Sequence, residues 1–210
     1  MFSGQESTHF IDDEDGERVY LVARLNAPIQ PINLGEQFED PLEILMKADG
    51  LGEFIGGSSL LARDGSIAAC DLELEVRQAD DATIARVIAA LEDIGAPKGS
   101  MLIIEGESEA EDRRIPFGTQ EGMAIRLCRD ELPKGITESD ILEEVIAEIG
   151  GLLGEAGAYR SYRRLSTDTV LFFYGYSFEA MSARIAGYLA RHPLFAHAGI
   201  ERMAEDTPSA

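Results

Sequence analysis

The sequence has no tryptophan and only two cysteines and three histidines among its 210 residues. Cys70 and Cys128 lie in different predicted strands and form no C-x-x-C pair, so the sequence indicates no disulfide framework. Buried, reduced thiols in a cytoplasmic protein are the favoured interpretation, with a bridge between the two as the alternative. His9, His192 and His197 lack the spacing of an H-E-x-x-H pair, which argues against zinc.

Long apolar segments and catalytic motifs are also missing. The sequence has no run of about 18 apolar residues, so it predicts no transmembrane helix. The acidic N-terminus lacks the apolar region of a secretory signal. The glycines from Gly50 to Gly57 follow a helix and enter a strand, which is the reverse of a phosphate-binding fingerprint. No serine lies in a G-x-S-x-G elbow. We therefore expect no cofactor, no metal and no catalytic residue, and favour a non-enzymatic role while leaving enzymatic activity open.

Positive charge is scarce: 18 basic residues face 39 acidic ones, for a net charge of −21. Residues 1–120 carry 9 basic and 25 acidic side chains, so most of the excess lies in the first half. Such a chain repels nucleic-acid phosphates and anionic lipids, and we expect neither nucleic acid nor membrane as a partner. A solvated surface explains the charge; the functional alternative is a face shaped for a basic protein.

Periodicity and turn signals predict the same order of elements twice. Strand-type alternation is clearest from Ile67 to Val76, and helix starts are predicted at Asp40-Pro41, at Asp80 or Asp81, and at Ser177. The order strand, helix, strand, strand, helix, strand fills residues 17–106 and recurs in residues 121–204. This predicts an α+β fold of two tandem β-α-β-β-α-β, or ferredoxin-like, units with antiparallel sheets. Residues 1–16 are expected to form a flexible acidic arm, 107–120 a linker and 205–210 a tail.

One candidate site is an acidic strip on a predicted strand. Asp71, Glu73 and Glu75 alternate with apolar residues and share one strand face. They are explained as the solvent-facing half of an amphipathic strand. The alternatives are a recognition strip for a partner, or paired carboxylates that share a cation or act as acid and base.

A second candidate site combines arginines and tyrosines, which are frequent in binding hot spots. Its members are Arg160, Tyr162, Arg164, Tyr174 and Tyr176, and the arginines are suited to an anionic ligand in a cleft between the two sheets. Core packing and surface ion pairs explain the same residues. Single-stranded RNA is disfavoured because the RNP1 pattern is absent and the net charge opposes it.

Several segments resemble a group of small acidic bacterial proteins of unknown function with tandem ferredoxin-like units. The resemblance rests on Leu51–Glu53, Gly56–Ser58, Asp71–Leu74, Ile115–Gly118 and Phe173–Glu179. In style such proteins are similar to immunity proteins that neutralise bacterial toxins. The resemblance implies a fold and supplies no catalytic residue.

The expected function is therefore a non-enzymatic, acidic protein-binding module, such as an immunity or inhibitor protein for a basic partner, with Asp71, Glu73 and Glu75 as contacts. The alternative is a binder of an anionic small molecule, or an enzyme, with its site between the two sheets. The sequence leaves the oligomeric state open.

Overall fold

This computed structural model describes residues 18–106, 108–128, 138–195 and 199–205. Nine strands and five α-helices are the main elements of these residues. The strands are β1 (Val19–Leu25), β2 (Gly52–Leu61), β3 (Ile67–Val76), β4 (Ser100–Ile104), β5 (Arg113–Phe117), β6 (Glu121–Cys128), β7 (Ala158–Arg164), β8 (Asp168–Gly175) and β9 (Ile200–Arg202). The helices are α1 (Pro31–Leu34), α2 (Asp40–Ala48), α3 (Asp81–Asp93), α4 (Glu138–Leu153) and α5 (Phe178–Leu189). None of the described helices is both long and apolar enough to cross a bilayer.

The first sheet has the order β2-β3-β1-β4-β5 with antiparallel neighbours. Leu21 lies opposite Leu74 and Ala23 opposite Leu72, so alternate residues of both strands share one buried face. Helices α2 and α3 cover this face with apolar residues such as Leu42 and Val87, which join the same buried cluster. The first four strands and two helices give the ferredoxin-like order, and β5 extends its edge.

The second sheet repeats the pattern, with the order β7-β8-β6-β9. Leu171 and Phe173 face helices α4 and α5 and belong to a buried cluster of their own. Ser177 begins α5 as predicted, because its hydroxyl accepts a hydrogen bond from the N–H of Ala180. The predicted α+β fold of two tandem ferredoxin-like units is confirmed.

Helical structure begins earlier than predicted in the first unit. The sequence predicts a helix start at Asp40-Pro41, but α1 starts at Pro31 and a π-helical turn, Gly35–Glu39, leads directly into α2. The prediction that Asp40 caps a helix is therefore wrong, since its N–H already donates to the Gly35 carbonyl within the helical path. A wider turn suits this place because Pro41 lacks an N–H and its ring crowds the preceding turn.

The segment expected to link the units contains a strand. Within 107–120, Arg113–Phe117 forms β5 and pairs along the whole length of β4, from Ser100↔Phe117 to Ile104↔Arg113. The short connection from β5 to the second unit is also held in place, because the Thr119 N–H donates a hydrogen bond to the Ala96 carbonyl. The predicted arm, 1–16, and all of the predicted tail except Glu205 lie outside the described residues.

The two units share buried apolar packing. Val170, Phe172 and Tyr174 lie on the face of β8 that points away from α4 and α5, and they join the buried cluster that holds Ile29 and Phe38 of the first unit. Residues 169–175 of β8 are buried on both faces of the second sheet. On the first sheet, the face opposite α2 and α3 carries Tyr20, which is 45% exposed. We call this last surface the open face of the first sheet.

Candidate functional site

The arginine-rich strand β7 carries a β-bulge at Arg160. Tyr159 pairs with Phe173 and Ser161 with Phe172, so Arg160 is an extra residue of β7 with no partner in β8. The extra residue reverses the alternation that follows it. Tyr162 consequently lies opposite Leu171, whose side chain faces the helices, while Arg160 contacts the first unit.

Arg160 is a structural contact between the units. Its Nη2 donates to the Ile94 carbonyl at 3.0 Å and its Nη1 to Gln37 Oε1 at 3.3 Å, while its guanidinium stacks on Phe38 at 5.2 Å from the ring centre. Gly95, at φ 94°, leaves the space beside Ile94 that the guanidinium occupies. Burial lowers the pKa of Arg160 from its usual value.

Two tyrosines of the predicted ligand site, Tyr174 and Tyr176, differ in their exposure to solvent. Tyr174 is 2% exposed, its hydroxyl lies 3.2 Å from Met203 Sδ, and burial raises its pKa. Tyr176 is 68% exposed beyond the end of β8. The five predicted residues thus divide into three groups. Arg160 and Tyr174 lie where the two units pack, Tyr162 and Arg164 stack on each other, and Tyr176 is exposed.

Tyr162 and Arg164 line a cavity between the two units. Its volume is about 650 Å³, and we call it the interunit cleft. Strand β7 and its turn form one wall, and the β2–β3 turn with the β1–α1 connection forms the other. The lining residues are Pro28, Gln30, Pro31, Ser59, Leu61, Asp64, Gly65, Ser66, Ile67, Tyr162, Arg163, Arg164 and Leu165.

Arg163 is the cation that the sequence-based site left out. Its guanidinium stacks on Phe172 at 5.7 Å from the ring centre, and its Nε is buried with no hydrogen-bond partner in the described part of the chain. The residue lies opposite Val170, so its side chain starts from the face that packs on the first unit. No ion pair to Arg163 shorter than 4 Å occurs among the described residues.

Asp64, in the β2–β3 turn, is the acidic residue in the lining of the interunit cleft. The Ser66 hydroxyl and backbone N–H donate to Asp64 Oδ1 at 2.7 and 3.0 Å. These hydrogen bonds lower the pKa of Asp64, and Arg163 acts in the same direction. The turn thus binds Asp64 through Oδ1, and no direct ion pair joins Asp64 to Arg163 among the described residues.

Direct hydrogen bonds between the units join the two walls of the cleft. Gln30 N–H donates to Ser161 Oγ at 2.9 Å, and Gln30 Nε2 donates to the Tyr162 carbonyl at 3.3 Å. Sequence reasoning missed Arg163, Asp64 and Gln30 because the bulge and the contact between units are non-local. The Arg163-Arg164 doublet was the available signal for the first of them.

The predicted acidic strip lies on the open face of the first sheet, as its alternation requires. Asp71 is 8% exposed and accepts two hydrogen bonds from Arg24, both 2.8 Å long. Glu75 pairs with Arg18 at 2.6 Å. Glu73 has no ion pair shorter than 4 Å among the described residues. The strip is therefore partly neutralised, with Glu73 as its unmatched charge.

The described residues contain no group of three histidine, cysteine, aspartate or glutamate side chains that could hold a metal ion. Cys70 and Cys128 are both free. Cys70 is fully buried, and burial raises the pKa of its thiol to about 11. A second cavity of about 580 Å³ lies beside α2, where cations such as Arg18 and Lys47 already pair with Glu75 and Glu43.

The sequence matches no protein-family model and no curated protein. Among solved structures, the first two RRM domains of the yeast poly(U)-binding protein Pub1 align over 89% of this chain and 99% of theirs, with 9% identity and a TM-score of 0.24. A protein from Galdieria sulphuraria aligns over 90% and 100%, with 10% identity and a TM-score of 0.28. A candidate monooxygenase from Fusobacterium nucleatum aligns over 88% and 90%, with 11% identity and a TM-score of 0.28. At these values we draw no inference about function from the likeness.

Proposed function

We propose that this protein binds a small carboxylate with an apolar body in the interunit cleft, and that Arg163 holds the carboxylate. The observation that carries the proposal is the position of Arg163. In a chain with few cations, it lines a cavity between two units and has no ion pair among the described residues. A guanidinium presents a planar fork of donors that matches a carboxylate.

The rest of the lining supports an apolar ligand body. Pro28, Pro31, Leu61, Ile67 and Leu165 line the cleft together with the polar groups. Ligand sites typically combine such apolar walls with a few placed polar groups. The wall on each side belongs to a different unit, and their shared core fixes the spacing before a ligand arrives, which reduces the entropic cost of binding.

Neighbouring groups assist Arg163 in this proposal. Arg164 stacks over the Tyr162 ring at 5.5 Å from its centre, which orients both residues along the same wall. Phe172 supports the Arg163 guanidinium from below. We assign no catalytic step to the cleft, because Asp64, its acidic residue, is engaged by Ser66.

Calorimetric titration with sodium hexanoate tests the proposal, with 1-hexanol as the neutral probe of equal length and acetate as the charge without the chain. Hexanoate is expected to bind more tightly than either. Because a hydrogen bond to a charged group contributes about 1.5–3 kcal/mol, Arg163→Gln is expected to weaken hexanoate binding by about 10- to 150-fold.

Arg113→Gln is the matched control, because Arg113 is an exposed arginine on β5 outside the cleft lining. It is expected to leave hexanoate affinity unchanged. Equal affinities for hexanoate and hexanol, or equal loss of affinity in both variants, would contradict the proposal.

A second candidate function is capture of a basic protein by the first unit, as in an immunity or inhibitor protein. Glu73 favours it, since its charge on the open face has no ion pair among the described residues. Charge reversal at Glu73 alone is the informative test. Reversal at Asp71 or Glu75 would also break the ion pairs with Arg24 and Arg18. Unchanged partner capture by Glu73→Lys would count against this face.

A further inference from the structure

The four edges of the two sheets are not equally protected against strand addition. An edge strand exposes unpaired N–H and C=O groups, and proteins usually guard it with proline, cationic side chains, bulges or short length. Strand β9 has three residues, β5 has two arginines and Pro116, and β7 has the bulge at Arg160. Strand β2 is ten residues long and contains neither proline nor a basic residue.

Strand β2 is also accessible to solvent. None of its ten residues is buried, and Ile55 and Leu61 are 44% and 64% exposed. Strand β2 has register shifts between Phe54 and Gly56 and between Leu60 and Leu61, and its pairing with β3 is regular between them, from Gly56 to Leu60. In an antiparallel edge strand, alternate residues direct their backbone groups outward. We call the outward side of Gly56–Leu60 the β2 edge.

The surroundings of the β2 edge are acidic. Residues 31–63 contain six acidic side chains and two basic ones, Lys47 and Arg63. Lys47 pairs with Glu43, Arg86 with Asp49 and Arg18 with Glu53. Among the described residues, this leaves Glu36, Glu39 and Asp40 as the acidic side chains without an ion pair beside β2. The Glu39 carboxylate lies against Gly57, where a side chain would otherwise stand. The Glu53 side chain is 65% exposed. An added strand would therefore run between negative charges on the helical side and Glu73 on the open face.

We propose that the β2 edge receives an extended, basic segment of a partner protein as an added antiparallel or parallel strand. Main-chain hydrogen bonds would supply the pairing and lysine or arginine side chains the selectivity, as in other strand-addition complexes. A second copy of this chain is disfavoured as the occupant because two β2 edges would bring like charges together. The inference rests on the second candidate function, whose partner it specifies, and the β2 edge shares Ser59 with the lining of the interunit cleft.

A labelled short peptide of alternating lysine and valine is the probe, titrated against the full chain by fluorescence anisotropy at low and high salt. The same peptide with prolines in place of its central valines keeps the charge but cannot complete a strand. An alternating glutamate–valine peptide reverses the charge. We expect only the lysine–valine peptide to bind well, and its affinity to fall with added salt.

Residue-resolved amide exchange then identifies the surface. Strand addition is expected to protect alternate amides within Gly56–Leu60 when the lysine–valine peptide is bound. Ser58→Lys, which adds the protective charge that β2 lacks, is expected to weaken binding by about tenfold or more. Ser182→Lys, on the outer helix α5, is the matched control and is expected to bind like wild type.

The outcomes separate strand addition from simple charge attraction. Equal binding of the proline-containing peptide, or bound-state protection outside β2, would overturn the strand-addition proposal, although such binding would still agree with a general acidic face. Binding of the glutamate–valine peptide or concentration-dependent self-association through β2 would overturn the basic partner. The wild-type exchange pattern decides the question even if Ser58→Lys fails to fold.

Discussion

Replacing Phe172 by alanine tests how the two units are joined. Phe172 is 2% exposed and belongs to the buried cluster shared with the first unit. Truncation of a buried phenylalanine costs about 3–5 kcal/mol. Arg163 also loses the ring on which it stacks, worth about 0.5–1 kcal/mol at a partly exposed site. We therefore expect the free energy of unfolding to fall by about 4 kcal/mol.

Phe173→Ala is the matched comparison, because Phe173 is the next residue and is equally buried but faces α4 and α5. Urea denaturation followed by circular dichroism is expected to show a similar loss in both variants and a single transition in the wild-type protein. Amide exchange should then differ: Phe172→Ala speeds exchange around Ile29 and Phe38, and Phe173→Ala around the second unit's helices. A loss below about 1 kcal/mol in Phe172→Ala would refute the shared core, since buried truncations cost more, and so would unchanged exchange at Phe38.

Three further predictions follow from single contacts. Because Asp71 and Arg24 form a largely buried, two-bond ion pair, Asp71→Ala is expected to lower the free energy of unfolding by about 2–4 kcal/mol, measured by urea denaturation; a change below about 0.5 kcal/mol, typical of surface sites, would contradict this. The buried Cys70 thiol, with its pKa raised to about 11, should not react with a thiol reagent at pH 8 in the native protein and should react after unfolding. Lys98 and the Phe178 N–H lower the pKa of Glu121, so the stability that Glu121 contributes is present above its unfolded-state pKa and lost as pH falls through the folded value. The Tm difference between wild type and Glu121→Gln should therefore shrink with acidification, and a constant difference would contradict the assignment.

Features determined by neighbouring residues could be predicted from the sequence. The alternation in Ile67–Val76 predicts β3 with its observed bounds. Asp80 before α3 and Ser177 before α5 accept the expected hydrogen bonds from N–H groups three residues later. Such caps and periodicities need only a few adjacent residues, so the element order could be inferred without knowledge of the tertiary contacts.

Features that depend on residues far away in the sequence could not be predicted. The helical path before Asp40 contains proline and glycine and looks like a loop, but burying Leu34 and Phe38 in the shared core stabilises it. Strand β5 includes Pro116, which has low strand propensity, and becomes a strand by pairing with β4. Tertiary contacts outweigh local preference at both places.

The candidate site was predictable in composition and not in geometry. The run from Tyr159 to Arg164 indicates a binding strand, and Tyr162 and Arg164 do line the interunit cleft. The bulge at Arg160 decides which arginine enters the shared core and which lies at the cleft, and nothing in the local sequence specifies it. Arg163 therefore replaces Arg160 as the residue proposed to hold an anion.

The most direct test of the interunit cleft observes the arginine side chains themselves. Nuclear magnetic resonance of the Nε–Hε groups follows Arg163, whose buried Nε should exchange slowly, during titration with sodium hexanoate. The account predicts that the Arg163 resonance shifts and saturates, that Arg164 shifts with it, and that Arg113 does not move. Binding of hexanoate with an unchanged Arg163 resonance would contradict the central claim that this guanidinium holds the ligand.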